Sequence, residues 1–312
     1  MRFKSVRIIL GTLLALAGAA FLLWTPDRDP AELAARYLGS PEDVINVRVG
    51  DARQRLHVRD DGPANAPVVL FLHGFGSSLH TWEAWATRLS GRFRVVRLDL
   101  PGAGLSAPDT TGDYSDGRSL ALIEGAMDHL GIARASIVGN SMGGRLAWRF
   151  AAARPDRVDK LVLIAPDGFA SAGFEYGKAP AISPMLHLMQ YSLPRFVLRM
   201  SLAPAYADPG ALTDERLTRY HDLLLAPGAR KAMLMRLEQT LLVDPVPVLR
   251  RIRAPTLVVW GEQDQFIPIA NANDYLAAIP ASTLVRLPGV GHLPQEEAPE
   301  PSLVPVQEFL IR

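Results

Sequence analysis

Apolar and polar residues follow different periods along the chain, and these periods predict its secondary structure. Residues 44–49 and 55–58 read as two strands around a Gly-Asp turn at 50–51. Residues 68–72 are continuously apolar, which is typical of a strand buried on both faces of a parallel sheet. Further strands are predicted at 93–98, 135–138, 160–164, 256–260 and 283–287, and helices at 81–89, 117–130, 142–153, 270–279 and 302–310. Strands that alternate with helices predict an α/β fold with a mostly parallel sheet.

One long interruption divides this alternation. Residues 166–244 are rich in Met, Leu and Pro and show helical spacing without clear strands, which predicts a helical cap inserted over the sheet. The α/β core is then expected at 44–165 and 245–312. Residues 25–43 read as a linker that contains a short helix.

The N-terminal segment, residues 1–24, differs from the rest of the chain. Arg2, Lys4 and Arg7 precede an uncharged, mostly apolar run at 8–24. This arrangement predicts a membrane anchor with its basic end in the cytoplasm and the catalytic domain exported to the periplasmic or extracellular side. A signal peptide cleaved near the A-G-A at 17–19, and a soluble N-terminal helix, are the alternatives.

Composition and charge narrow the function classes. The 312 residues are 48% hydrophobic and 21% charged, as expected for a globular protein. Lys and Arg number 33 against 32 Asp and Glu, so no basic field exists to attract nucleic acid. The chain has no cysteine, which excludes disulfides, a thiol nucleophile and Cys-ligated metal sites. Neither the H-E-x-x-H zinc motif nor the G-x-x-x-x-G-K-[ST] phosphate loop is present.

The sharpest chemical signal is the sequence G-N-S-M-G at 139–143. It has the form G-x-S-x-G and stands directly between a predicted buried strand and a predicted helix. Small residues at both ends allow the tight strand-to-helix turn that lifts a serine to the carboxyl edge of the sheet. Ser141 is therefore the predicted nucleophile.

A serine hydroxyl needs a base, and the base needs an acid that orients it. His292 is the predicted base because it follows the strand at 283–287. Asp264 follows the strand at 256–260 and reaches the same edge, so it is the predicted acid. Asp167, after the preceding strand, is the alternative acid.

The oxyanion of such a reaction needs preorganised N–H donors. One is the backbone N–H of Met142, the residue after the nucleophile. The second is assigned to the N–H of Phe75, in the H-G-F-G loop at 73–76. His73 is expected to structure this loop and not to act as a base.

Together these motifs, with D-L-P-G-A-G-L-S at 99–106, resemble the α/β-hydrolase superfamily over residues 44–312. The resemblance implies an eight-stranded, mostly parallel sheet flanked by helices, a helical cap, the chain order Ser, Asp, His for the triad, and no cofactor or metal. Serine at 141 argues against the dehalogenases and epoxide hydrolases of this fold, whose nucleophile is aspartate.

The subfamily decides the substrate. The preferred interpretation is a carboxylic ester hydrolase, an esterase or lipase acting on a small and possibly lipidic ester through an acyl-enzyme at Ser141. The alternative is a carbon–carbon bond hydrolase of meta-cleavage-type dienoate diketones. In that group a tryptophan usually follows the catalytic histidine, where this chain has Leu293, and a cap arginine binds the dienol acid. Six cap arginines are candidates: Arg195, Arg199, Arg216, Arg219, Arg230 and Arg236. A membrane-tethered binding protein on a decayed hydrolase scaffold is a third hypothesis, which the complete triad disfavours.

Overall fold

The strands expected from the hydrophobic pattern form one sheet. The computed structural model describes residues 24–170 and 175–312. The strands within these ranges are β1 Val44–Val49, β2 Ala52–Asp61, β3 Val68–Leu72, β4 Arg94–Leu98, β5 Ala135–Asn140, β6 Val158–Ile164, β7 Thr256–Gly261 and β8 Ser282–Leu287.

The sheet is mostly parallel, as expected. Its order is β1-β2-β4-β3-β5-β6-β7-β8. The pairs β1–β2 and β2–β4 are antiparallel, and the pairs from β4 to β8 are parallel. The carboxyl ends of β5, β7 and β8 therefore lie at one edge, which is where open α/β sheets place their ligands.

Helices connect and cover the strands. They are α1 Pro30–Tyr37, α2 Glu83–Leu89, α3 Asp116–His129, α4 Met142–Ala153, α5 Pro184–Leu188, α6 Arg195–Leu202, α7 Asp214–Leu224, α8 Ala229–Glu238, α9 Val246–Leu249, α10 Asn271–Ala278, α11 Pro294–Glu297 and α12 Pro299–Ile311. Short 3₁₀ turns lie at Pro41–Asp43, Leu79–Trp82, Pro155–Arg157, Ala203–Ala205 and Pro209–Ala211.

Both faces of the sheet are buried, as the side chains of β3 show: they point alternately into two apolar cores. Leu70 and Leu72 pack in the core that also receives α3, α4 and α10. Val69 and Phe71 pack in the opposite core with α2 and α12. Each fully buried side chain of this kind contributes about 1.5–3 kcal/mol. This two-sided burial is the physical reason for the unbroken apolar run.

The segment between β6 and β7 carries helices α5 to α9 in its described part. It has an apolar cluster of its own, which includes Leu198, Tyr206 and Leu217 and is joined by Leu293 from the core. We use the name cap for residues 166–244.

The segment expected as a linker, residues 25–43, is attached to the cap. Arg36 Nη1 and Tyr37 Oη, at the end of α1, both donate to Asp222 Oδ2 at 2.8 Å. Asp222 is a buried carboxylate of α7, and Leu33 packs beside Ala229. These contacts bury one face of α1 on the cap.

The hydrophobic pattern missed α11, because its sequence Pro-Gln-Glu-Glu has no apolar period. The polar side chains of Gln295 and Glu296 are nevertheless buried. The pattern also shortened β2, which runs over residues 52–61 with several polar side chains.

The close approach of α4 to β3 should make Gly143 sensitive to substitution. A Cβ there would lie 2.2 Å from the Leu72 carbonyl oxygen. We expect Gly143→Ala to lower the free energy of unfolding by about 1–3 kcal/mol through overpacking. Urea unfolding measures this value. Gly91→Ala is the control, since a Cβ at Gly91 would have no neighbour within 4 Å. Equal stability of the two variants would show that the contact between α4 and β3 tolerates a Cβ at Gly143.

Candidate active site

The tight turn between β5 and α4 presents Ser141. Its backbone has φ 55° and ψ −122°, a conformation that an L-residue adopts only under strain. A Cβ on Gly139 would lie 2.3 Å from the Gly143 carbonyl oxygen, so the turn closes only with glycine at that position. Ser141 N–H donates to the Ile164 carbonyl at 3.0 Å and ties the turn to β6. The serine is thus held at the carboxyl edge of the sheet.

The expected acid and base are hydrogen-bonded. His292 Nδ1 lies 2.7 Å from Asp264 Oδ2, and both side chains are almost fully buried. Since a carboxylate only accepts, Nδ1 carries the proton and Nε2 is left to act as a base. Asp264 Oδ1 accepts the N–H groups of Phe266 at 2.8 Å and Ile267 at 2.9 Å, which fixes the carboxylate.

The alternative acid, Asp167, has a different partner. Its Oδ2 accepts from Arg145 Nη1 at 2.7 Å. Arg145 is buried on α4, one turn after the nucleophile. Asp167 lines a cavity beside Ser141, but the carboxylate bonded to His292 is that of Asp264.

The two expected oxyanion donors lie next to the serine. Met142 is the first residue of α4, where a backbone N–H has no acceptor within its own helix. The loop that carries Phe75 approaches closely, since a Cβ on Gly74 would lie 3.3 Å from Ser141 Cβ. Phe75 and Met142 line the same cavity. Their roles remain predictions.

His73 is a structural residue of this loop. Its Nδ1 lies 2.8 Å from the Gly74 carbonyl oxygen, and its Nε2 accepts the Leu100 N–H at 3.1 Å. Burial lowers its pKa below the ordinary histidine value. Neutral His73 therefore has both ring nitrogens occupied, as the sequence analysis expected.

Sequence reasoning missed Asn140. Its Nδ2 donates to the carbonyl oxygens of Ile164 and His292, both at 3.1 Å. The residue before the nucleophile therefore holds the histidine loop. The G-x-S-x-G pattern leaves this position open, so the pattern alone carries no signal for it.

The family profile for the alpha/beta hydrolase fold matches residues 67–299. The chain belongs to the α/β-hydrolase family. This agrees with the resemblance and with the sheet described above.

Three proteins that are similar to this α/β hydrolase indicate which substrates to consider. The chain is similar to a 2-hydroxy-6-oxononadienedioate/2-hydroxy-6-oxononatrienedioate hydrolase of Cupriavidus pinatubonensis, with 32% identity over 81% of this chain and 89% of the relative. It is similar in structure to the 2-hydroxy-6-oxo-6-phenylhexa-2,4-dienoate hydrolase of Rhodococcus sp. strain RHA1, with a TM-score of 0.72, 25% identity, and coverage of 86% and 99% of the two chains. A membrane phospholipase A, described as a bacterial virulence factor, has a TM-score of 0.71 and 26% identity over 97% of each chain.

These relatives correct the preferred activity. The chain is a hydrolase, but the expectation of an esterase or lipase acting on an ester substrate is wrong. The chain is 32% identical to the Cupriavidus dienoate hydrolase over 81% of its length, and the Rhodococcus enzyme of similar structure is also a dienoate hydrolase. The alternative, a carbon–carbon bond hydrolase of dienoate diketones, is therefore better supported.

The prediction of an exported enzyme with a transmembrane anchor, which relied on the basic residues and the apolar run within 1–24, is corrected as well, because the chain is similar to dienoate hydrolases. The predicted anchor at 1–24 lies outside the described residues except for Trp24. Over 24–170 and 175–312, no helix combines the length and apolar character needed to cross a bilayer.

Two cavities of this hydrolase are lined by Ser141, and a third is lined by its neighbour Met142. The first lies under the cap and is bounded by Ser141, His292, Tyr220, Leu202, Phe266 and Leu293. The second extends from Ser141 toward Arg145 and Asp167. The third is lined by Phe75, Met142 and Arg236, among others. Over the same described ranges, no group of three or more His, Asp or Glu residues is placed to hold a metal ion.

Arg236 differs from the other cap arginines. It is buried, and it donates to the Pro101 carbonyl oxygen at 2.9 Å and to Ser119 Oγ at 3.2 Å. No carboxylate of the described chain lies within ion-pair distance of it. Burial lowers the pKa of Arg236 to about 10, so it remains a cation at neutral pH. The others have partners: Arg195 and Arg199 bond Asp214, Arg219 bonds Glu296, Arg230 bonds Asp27, and the partly exposed Arg216 bonds the Ala211 carbonyl.

The geometry predicts that Asp264, and not Asp167, supports the base. We expect Asp264→Asn to slow the reaction of Ser141 with a fluorophosphonate by on the order of 10⁴-fold, because the amide favours the wrong histidine tautomer. Asp167→Asn, the matched control, should keep a rate near that of the wild type. Labelling is followed by intact-protein mass spectrometry. A larger loss in Asp167→Asn than in Asp264→Asn would reverse the assignment.

Proposed function

We propose that this protein hydrolyses a carbon–carbon bond in a 2-hydroxy-6-oxo-dienoate, a diketone of the kind produced by meta-cleavage of aromatic rings. The observation that carries the proposal is the 32% identity, over 81% of the chain, to a hydrolase of such dienoates. The site supports it in two further ways, through its cation and through its nucleophile.

The cation suits the acid end of this substrate. A buried guanidinium without a carboxylate partner is costly, and a bound anion offsets that cost. Arg236 lines the cavity that also carries Phe75 and Met142. A dienoate could therefore place its carboxylate at Arg236 and its C6 carbonyl at the two N–H groups of the oxyanion site.

The chemistry requires a proton transfer before cleavage. The 2-hydroxy-dienoate first becomes the 2-keto tautomer as the hydroxyl proton leaves and C5 gains a proton. Ser141 then attacks the C6 carbonyl while His292 takes the hydroxyl proton, and Phe75 and Met142 stabilise the oxyanion. The C5–C6 bond breaks, and its electron pair stays on C5, where it is delocalised through the C3–C4 double bond onto C3 and the C2 carbonyl oxygen. His292 gives its proton to this dienolate, which leaves as the 2-hydroxy-dienoate product. Water, activated by His292, finally releases the acyl group from Ser141.

Leu293 is the main departure from the dienoate hydrolases, in which a tryptophan usually occupies the position after the histidine. Here Leu293 is buried among cap side chains. Together with Leu202 and Phe266 it lines the cavity beside the serine. We therefore expect the pocket to accept apolar substituents on C6.

The proposal predicts turnover of 2-hydroxy-6-oxo-6-phenylhexa-2,4-dienoate, measured as loss of its visible absorbance and release of benzoate. Ser141→Ala should abolish release of benzoate and of the 2-hydroxy-dienoate fragment, because the acyl-enzyme can no longer form. The same preparation is given p-nitrophenyl esters and a phosphatidylcholine. Efficient hydrolysis of either ester without turnover of the dienoate would overturn the proposal.

The carboxylate contact predicts a specific loss in Arg236→Gln. A charge-assisted hydrogen bond is worth about 1.5–3 kcal/mol, so we expect KM for the dienoate to rise about 10- to 100-fold. Arg230→Gln is the matched control, because Arg230 is a buried arginine of the same helix that does not line the cavity. An unchanged KM in Arg236→Gln would place the substrate carboxylate elsewhere.

A further inference from the structure

The loop that carries His292 is in direct contact with the cap. His292 N–H donates to the Ala205 carbonyl oxygen at 2.8 Å. A Cβ on Gly291 would lie 2.6 Å from the same oxygen and 2.8 Å from the Ala207 nitrogen. The cap backbone at 205–207 therefore packs on the backbone that precedes the base.

Glu297 joins the same two segments through its side chain. Its Oε2 accepts the Gly291 N–H, and its Oε1 accepts the Asp208 N–H, both at 2.6 Å. Glu297 is the last residue of α11, and its own N–H donates to the Leu293 carbonyl at 2.9 Å. Hydrogen bonds from backbone N–H groups to a carboxylate are charge-assisted and about twice as strong as neutral ones.

The neighbouring Glu296 strengthens the attachment. Its buried carboxylate accepts from Tyr206 Oη at 2.6 Å, from Arg219 Nη2 at 2.6 Å and from Tyr220 Oη at 3.2 Å. Tyr220 lines the cavity at Ser141 and the cavity at Arg236. On this side, the cap is therefore tied to the core four and five residues after the base.

We propose that Glu297 is a positioning residue: its carboxylate couples the cap at Asp208 to the His292 loop, so that the cap holds the catalytic base in place. The proposal rests on the roles of Ser141 and His292 proposed above. Asp264 holds the imidazole ring of His292, and Asn140 holds its backbone carbonyl. Glu297 and Ala205 hold the same loop from the side of the cap.

The test is Glu297→Gln, which keeps the side-chain shape but can accept only one of the two hydrogen bonds with its single carbonyl oxygen. A displacement of ~1 Å in a catalytic group can lower a rate by up to ~100-fold. We expect the limiting rate of Ser141 labelling by a fluorophosphonate to fall about tenfold, with the half-saturating probe concentration unchanged. Glu300→Gln is the control, because Glu300 is an exposed residue that pairs with Arg88.

A second readout does not depend on activity. Hydrogen–deuterium exchange over residues 288–294 should be faster in Glu297→Gln than in the wild type, and unchanged in Glu300→Gln. The proposal would be overturned if Glu297→Gln were labelled as fast as the wild type and exchanged its amide hydrogens over residues 288–294 at the wild-type rate. If the wild type itself were not labelled, the nucleophile assignment would fail, and the exchange result would still decide the positioning role.

A second variant covers the case in which Glu297→Gln does not fold. Gly291→Ala retains the carboxylate but pushes the loop away from Ala205. It should show the same slow labelling and fast exchange. A wild-type labelling rate and wild-type hydrogen–deuterium exchange in Gly291→Ala would show that contact with the cap does not hold His292 in place.

Discussion

The contact between the backbones of Gly139 and Gly143 is the constraint on which the site depends. It allows the chain to pass from β5 into α4 within one residue, with Ser141 at φ 55°. The strain at this serine is held because α4 packs against β3 and β6 on a sheet buried on both faces. Without that support the turn would relax and the hydroxyl would leave the carboxyl edge of the sheet.

His292, the predicted base, is held from several directions by groups distant in the chain. Asp264 orients the ring, Asn140 holds the backbone carbonyl, and the cap holds the backbone N–H. A general base must be placed to within a fraction of an ångström, and a loop after an edge strand such as β8 supplies little rigidity by itself. The surrounding hydrogen bonds supply the rest, and the cap takes part in them through the Ala205 carbonyl oxygen.

The substrate that we propose follows from the cavities and not from the arrangement of Ser141, His292 and Asp264. Ser, His and Asp in this geometry serve many acyl transfers, and the fold does not choose among them. The choice lies in what the cavities offer a substrate, and here they offer a buried cation without a carboxylate partner at Arg236 and apolar walls at Leu202 and Leu293. The ester prediction relied on general motif likeness, on the N-terminal apolar run and on Leu293 in place of a tryptophan, and none of these reports on the partners of Arg236.

The sequence by itself determined the sheet, the turn at Ser141 and the residues expected to serve it, because these depend on local patterns: apolar runs, glycines in a tight turn, and polar residues directly after strands. Only the tertiary structure decided that Asp264 and not Asp167 meets His292, that Arg236 alone among six cap arginines is buried without a carboxylate, and that Glu297 joins the cap to the histidine loop. Each of these depends on the distance between atoms far apart in the chain. No period or motif within one segment contains that distance.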